Sequence, residues 1–60
     1  MKKIRIVVAD DEILVREGII AILSHQEDFE IVGEAQNGIE VVAIARKTKP
    51  DVIILDMLMP

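Results

Sequence analysis

The chain has 60 residues, enough for one small domain, and a domain of that size buries only about 60% of its unfolded surface. Hydrophobic residues make up 52% of it with one aromatic, Phe29, more core material than so short a chain can enclose. A formal charge of −4 with no basic stripe argues against a phosphate-backbone binder, and the lack of cysteine excludes a disulfide framework, a thiolate metal site and a cysteine nucleophile, as suits a cytoplasmic protein.

Met1-Lys2-Lys3 precedes an apolar run too short, and broken too early by Arg5 and Asp10, for a signal peptide. No stretch approaches the roughly 18 apolar residues of a membrane span. Ile4-Arg5-Ile6-Val7-Val8-Ala9 is β-branched and mostly apolar, so it is expected to be a buried strand that ends at Asp10-Asp11-Glu12. Residues 13 to 25 carry Leu14, Val15, Gly18, Ile19, Ile22 and Leu23 as a helical stripe, with Arg16, Glu17 and Gln26 off it. Asp10 or Asp11 suits the N-cap, and Glu12 suits the positive helix end. Gly18 inside a helix predicts close packing on a strand, and His25 falls at the helix end, where a cation is mildly favoured.

Phe29 to Ala35 form a second strand, whose polar Glu30 and Glu34 suggest a sheet edge. Gln36-Asn37-Gly38 signals a turn, and a second helix follows to about Lys47 with Val41, Val42 and Ala45 on one face. Ile39, Ala43 and Ile44 lie partly off that face, and Arg46, Lys47 and Lys49 complement its negative end. After Lys49-Pro50, the stretch Asp51-Val52-Ile53-Ile54-Leu55-Asp56 has the unbroken apolar run of a strand buried on both faces, as in the middle of a parallel sheet. The pattern is β-α-β-α-β, hence an α/β fold with a parallel sheet and right-handed crossovers.

Parallel strands put their carboxyl ends at one edge, where ligands bind in open α/β sheets. If the first and third strands are neighbours, Asp10, Asp11 and Asp56 converge there, and at least one would hold its proton unless a cation sits among them. Only oxygen ligands are on offer, with no sulfur and no nearby imidazole, which selects a hard cation, Mg²⁺ first. A carboxylate beside Mg²⁺ can attack a phosphoryl group and become an acyl phosphate. The plainer account stays open: paired acids before a helix are ordinary caps, and Asp56 can simply end its strand before Pro60. Ser24 and His25 are consecutive on a helix and do not face each other as a nucleophile and base must.

Ile6-Val7-Val8-Ala9-Asp10-Asp11-Glu12, Val32-Gly33-Glu34-Ala35-Gln36-Asn37-Gly38 and Pro50-Asp51-Val52-Ile53-Ile54-Leu55-Asp56-Met57-Leu58-Met59-Pro60 together resemble the receiver domain of two-component response regulators, over the whole chain and in order. That resemblance implies a flavodoxin-like receiver fold with strand order 2-1-3 in its first three strands. Residues 1–60 would then be the N-terminal part of the receiver, lacking strands four and five, with their hydroxyl and lysine residues, and the output domain. It implies Asp56 as phospho-acceptor, charged by a sensor histidine kinase, with Asp10 and Asp11 as the acidic pair, Asp11 the direct Mg²⁺ ligand, and the Leu58 backbone carbonyl a further ligand. Leu14-Val15-Arg16-Glu17-Gly18 is most similar to NarL/LuxR-type regulators, which implies transcription regulation through a DNA-binding domain outside these residues and no nucleic acid or membrane contact by this part.

On this reading the chain is a signalling module and not an enzyme. A Mg²⁺-dependent aspartyl phosphohydrolase on a similar sheet is the enzymatic alternative, but such enzymes usually carry a second Asp two residues after the nucleophile, where this chain has Leu58. The other alternative is an assembly-only half-domain without phosphorylation competence. The third strand, central in a whole receiver, would present a bare outer edge, so a homodimer or swapped assembly through that strand is expected.

Overall fold

The computed structural model describes residues 2–56. In chain order the elements are β1 (Ile4–Asp10), α1 (Ile13–Ser24), β2 (Phe29–Ala35), α2 (Gly38–Thr48) and β3 (Val52–Asp56). The strands form one parallel sheet in the order β2-β1-β3, the expected topology. Both helices pack on β1 and β2 and neither touches the other, so they occupy opposite faces of the sheet.

β1 is the spine. Ile6, Val7, Val8, Ala9 and Asp10 are all buried, because β1 has a hydrogen-bonded strand on each side and a helix on each face. Its near end is pinned by the segment before β3: Arg5 N–H donates to the Asp51 carboxylate at 2.9 Å, and Asp51 N–H donates to the Arg5 carbonyl at 2.8 Å. The Arg5 guanidinium also donates to the Thr48 and Lys49 carbonyls, satisfying the last turn of α2. Lys49 ends that helix in the left-handed region at φ 50°, where glycine is more usual.

β2 takes the edge position expected from Glu30 and Glu34. The β1–β2 register shifts between Ile6 and Val7, so that Ile6 faces Ile31 while Val7 faces Gly33. At Gly33 the sheet and α2 come closest: a Cβ there would lie 2.6 Å from Ile44 Cγ2. α2 begins as a well-capped helix, with Asn37 Oδ1 accepting from Glu40 N–H and Glu40 Oε1 accepting from Gln36 N–H, each at 2.9 Å.

Four expectations are corrected. α1 turns a different face inward: Arg16 is buried and Ile19, Ile20 and Leu23 are half-buried, whereas Leu14 is 79% and Ile22 68% exposed. Gly18 therefore packs on nothing, since a Cβ there would meet no atom within 4 Å; the close approach belongs to Gly33. In α2, Ile44 points inward beside Val41 and Ala45, while Val42 is exposed. β3 is not buried on both faces. Neither helix packs on it, and Val52, Ile53 and Leu55 are exposed. The continuous apolar run marked a parallel strand correctly but not its cover.

The Gly33 contact generates a test. Gly33→Ala forces its methyl against Ile44, whose branched side chain has little rotamer freedom in a helix, and should cost about 1–3 kcal/mol in thermal melting. Ile44→Leu removes the offending Cγ2, so the double variant should recover part of that loss. A Gly33→Ala protein that melts like the parent would show that α2 shifts without penalty.

Candidate functional site

The site follows from where two parallel strands run out. Asp10, the last residue of β1, is the register partner of Asp56, the last residue of β3. Asp11 is next in the chain, in the turn into α1. Asp10, Asp11 and Asp56 line one open cleft of about 290 Å³ together with Glu12 and Val15. The three carboxylates expected at one edge thus line one cleft there, and Glu12 joins them.

Their environments differ. Asp10 is 3% exposed, whereas Asp11 and Asp56 are exposed. Asp10 Oδ1 accepts from Glu12 N–H at 2.8 Å, and the Asp10 carbonyl accepts from Arg16 Nη1 at 2.7 Å. The N-cap of α1 is Glu12, whose side chain makes no capping bond, so neither Asp10 nor Asp11 is the cap that the sequence suggested. Asp10 instead closes a turn from two residues upstream, a habit of Asp side chains before helices. It enters the cleft already held by protein, while Asp11 and Asp56 face water.

The donor set is all oxygen. His25 stands at the other end of α1, as its C-cap, and Ser24 is beside it, so neither reaches the cleft. The one ion pair among the described residues joins Arg16 to Glu34, so no lysine or arginine is paired with the cleft acids there. Carboxylates in that number without a basic partner match the chemistry of a hard divalent cation. Among the described residues no three acidic or imidazole side chains are drawn together as a finished ligand shell; the acids share a cleft rather than a point. Leu58, expected to offer its carbonyl, lies outside the described residues.

Sequence reasoning missed Arg16. It was assigned to the solvent side of α1, yet it is buried, with Nε donating to Glu34 Oε1 at 2.9 Å. The signal was present in the alternative stripe 16-19-20-23, which has the same helical spacing and differs in placing one guanidinium on the inward face.

A family model described as the response regulator receiver domain matches residues 6–60. The transcriptional regulatory protein YxjL of Bacillus subtilis (strain 168) is 48% identical over 58 residues, covering 97% of this chain and 27% of that protein. BtsR of Escherichia coli (strain K12), also a transcriptional regulatory protein, is 44% identical over 57 residues, covering 95% of this chain and 24% of that protein. Among solved structures, the signal receiver domain assigned to NarL of Mycobacterium tuberculosis superposes with a TM-score of 0.92 at 40% identity, over 100% of this chain and 48% of that one. The response regulator domain of Thermotoga maritima CheB gives 0.91 at 41% identity, over 98% and 44%. The chain spans about a quarter of the length of the curated relatives it matches.

The unequal roles of the paired acids predict unequal stability effects in the absence of metal. Asp10→Ala deletes the acceptor of the Glu12 N–H and should lower stability by about 1 kcal/mol. Asp11→Ala removes an exposed like charge from the cleft and should leave the melting temperature unchanged or raise it. The reverse order in thermal denaturation would contradict these roles.

Proposed function

The chain belongs to the response regulator receiver family, and on that premise we propose that Asp56 is the phospho-acceptor of a two-component signalling protein, charged by a sensor histidine kinase. The observation that carries the reading is that Asp56, exposed at the end of β3, shares one cleft with its register partner Asp10 and with Asp11. Exposure matters because the donor is another protein: the phosphoryl group must arrive from outside.

In the transfer an Asp56 carboxylate oxygen attacks phosphorus and forms the new O–P bond. The P–N bond of the phosphohistidine breaks, and its electron pair stays on the departing imidazole nitrogen, which takes up a proton. Asp56 becomes an acyl phosphate. Asp10 and Asp11, with Asp56 and the Leu58 carbonyl, would hold Mg²⁺. When bound, Mg²⁺ supplies neutralisation of the charge on the phosphoryl oxygens. Asp10, fixed by the Glu12 amide, lines the cleft, and Asp11, free of such bonds to the turn, would be the direct ligand.

The acceptor is consumed stoichiometrically, so the module is read as a signalling element and not as an enzyme. An aspartyl phosphohydrolase is the less favoured reading because position 58, where such enzymes usually carry a general acid/base Asp, is Leu. The relatives are named as transcriptional regulatory proteins, which supports an output on DNA through residues beyond these, in the cytoplasm. Among the described residues no helix is long and apolar enough to cross a membrane.

Incubation with Mg²⁺ and acetyl phosphate, followed by intact mass measurement, tests the acceptor. One phosphoryl increment is expected on the parent and none on Asp56→Asn. Phosphate persisting on Asp56→Asn would move the acceptor elsewhere. In Mg²⁺ titrations Asp11→Ala should lose more affinity than Asp10→Ala, and titration curves identical to the parent for both would rule out the site.

A second reading concerns assembly. Neither helix covers β3, and its outer edge has no strand neighbour among the described residues. In the isolated 60-residue chain that edge should pair with a second copy, as a two-fold dimer through β3 or a swapped equivalent. Light scattering on the 60-residue chain is expected to give the mass of a dimer or larger species. A cooperatively melting monomer at micromolar concentration would refute it.

A further inference from the structure

Two polar residues are buried among the described residues, Asp10 and Arg16, and the side chain of the second reaches the backbone of the first: Arg16 Nη1 donates to the Asp10 carbonyl at 2.7 Å. An arginine at 9% exposure in so small a core is expensive, since an apolar side chain of similar volume would often be at least as stable there. Its location is also unfavourable for a cation, because Arg16 lies near the N-terminal end of α1, the positive end of the helix dipole. Neither stability nor helix electrostatics explains it, so the explanation must lie in what it holds.

We propose that Arg16 is a positioning residue that fixes the turn between β1 and α1, and with it the Asp10–Asp11 pair, in the arrangement that receives a divalent cation. The proposal rests on the reading of the cleft as a cation site. Arg16 brackets the turn from both sides. Its backbone N–H donates to the Glu12 carbonyl at 2.9 Å, and its side chain, directed back along the helix as long helical side chains are, reaches the Asp10 carbonyl. The residues between those two anchors are Asp11 and Glu12, both of which line the cleft. The Asp10 carbonyl belongs to the peptide that joins Asp10 to Asp11. Holding its oxygen fixes that peptide plane, and so the direction in which Asp11 leaves the strand. The Glu12 N–H bond to Asp10 Oδ1 fixes the turn from the other side. The guanidinium is itself oriented by Glu34 on β2, through Nε at 2.9 Å, so three elements, β1, β2 and α1, converge on the turn. Partners of this kind, which touch ligands and not the metal, are typically worth about ten- to a hundredfold in metal affinity.

Positioning and charge predict opposite signs, which makes the idea testable. If Arg16 acted only through its charge, removing it would strengthen cation binding by relieving repulsion, and lysine would behave as arginine does. If it acts by holding the turn, both Arg16→Gln and Arg16→Lys weaken binding, because neither reproduces a planar fork that serves Glu34 and the Asp10 carbonyl together. The first readout needs no metal. Amide hydrogen exchange at Glu12, whose N–H is bonded to Asp10, should accelerate in both variants relative to the parent. The control is Ile6→Val, a core change four residues before Asp10 in β1 that destabilises without touching the turn. The second readout is the Mg²⁺ dissociation constant, expected to rise roughly tenfold in Arg16→Gln and Arg16→Lys and to stay put in Ile6→Val. Unchanged Glu12 exchange overturns the proposal, as does tighter Mg²⁺ binding by Arg16→Gln with parent-like binding by Arg16→Lys. A parent that binds no Mg²⁺ removes the cleft reading instead, and Glu12 exchange still decides whether Arg16 holds the turn. Should Arg16→Gln fail to fold, Glu34→Ala frees one side of the guanidinium from an exposed partner, and the same shifts are expected at smaller amplitude. No shift there overturns the proposal too.

Discussion

Everything in this fold depends on the burial of β1 from Ile6 to Asp10. A strand from which water is excluded on both faces must find partners for all its backbone groups within the protein, and here β2 and β3 supply them from the two sides. Because both neighbours are parallel, each connection has to cross over the sheet. Right-handed crossovers in the order β2-β1-β3 place α1 and α2 on opposite faces. The same parallelism sends the ends of β1 and β3 to one edge. The acidic cleft is thus a geometric consequence of burying Ile6 to Ala9, with Asp10 the residue at which that burial must give way to polar chemistry.

The transition at Asp10 is managed rather than abrupt. Its carboxylate is out of water but accepts the Glu12 amide, and its carbonyl is out of water but accepts the Arg16 guanidinium. Among the described residues no buried side-chain polar atom lacks a partner, as expected when an unsatisfied buried group costs more than a bond gains. The arrangement separates two duties that paired acids often share. Asp10 gives one carboxylate oxygen to the structure of the turn, whereas Asp11 and Asp56 stand exposed.

The sequence was most legible where one physical signal dominates. The boundaries of β2 and α2 and the edge position of β2 follow from polar alternation at Glu30 and Glu34, from the turn signal Gln36-Asn37-Gly38, and from basic residues in the last turn of α2. The placing of Asp10, Asp11 and Asp56 at one edge followed from strand parallelism once β1 and β3 are neighbours. α1 was legible as a helix but not in its orientation. Ile13, Leu14, Val15, Ile19, Ile20, Ile22 and Leu23 wrap most of its circumference, so periodicity does not select one face, and Arg16 decides it by what it can bond. The two glycines show the same limit. Gly18 and Gly33 look alike as interruptions of apolar segments, but only Gly33 is crowded, because only it lies where the β1–β2 register shift brings a strand under Ile44. A close approach between elements distant in sequence leaves no local mark.

The exposure of β3 links assembly to the site. Asp56 is held by pairing with β1 on one side only, and the strand that carries it is the least covered element of the sheet. Any strand that pairs along the outer edge of β3, from a second copy or from further chain, restricts the backbone from which Asp56 projects. It also adds a wall to a cleft that is now open. Cover on β3 therefore changes the affinity of the cleft for whatever it binds. By linkage, occupation of the cleft must change the affinity of β3 for its cover by the same factor. The direction of that coupling is set by order: Asp56 is carried by a strand paired on one side only among the described residues, so filling the cleft must fix that strand, and cover that has already fixed it removes the cost. Covering β3 and filling the cleft should for this reason be positively cooperative, whatever supplies the cover.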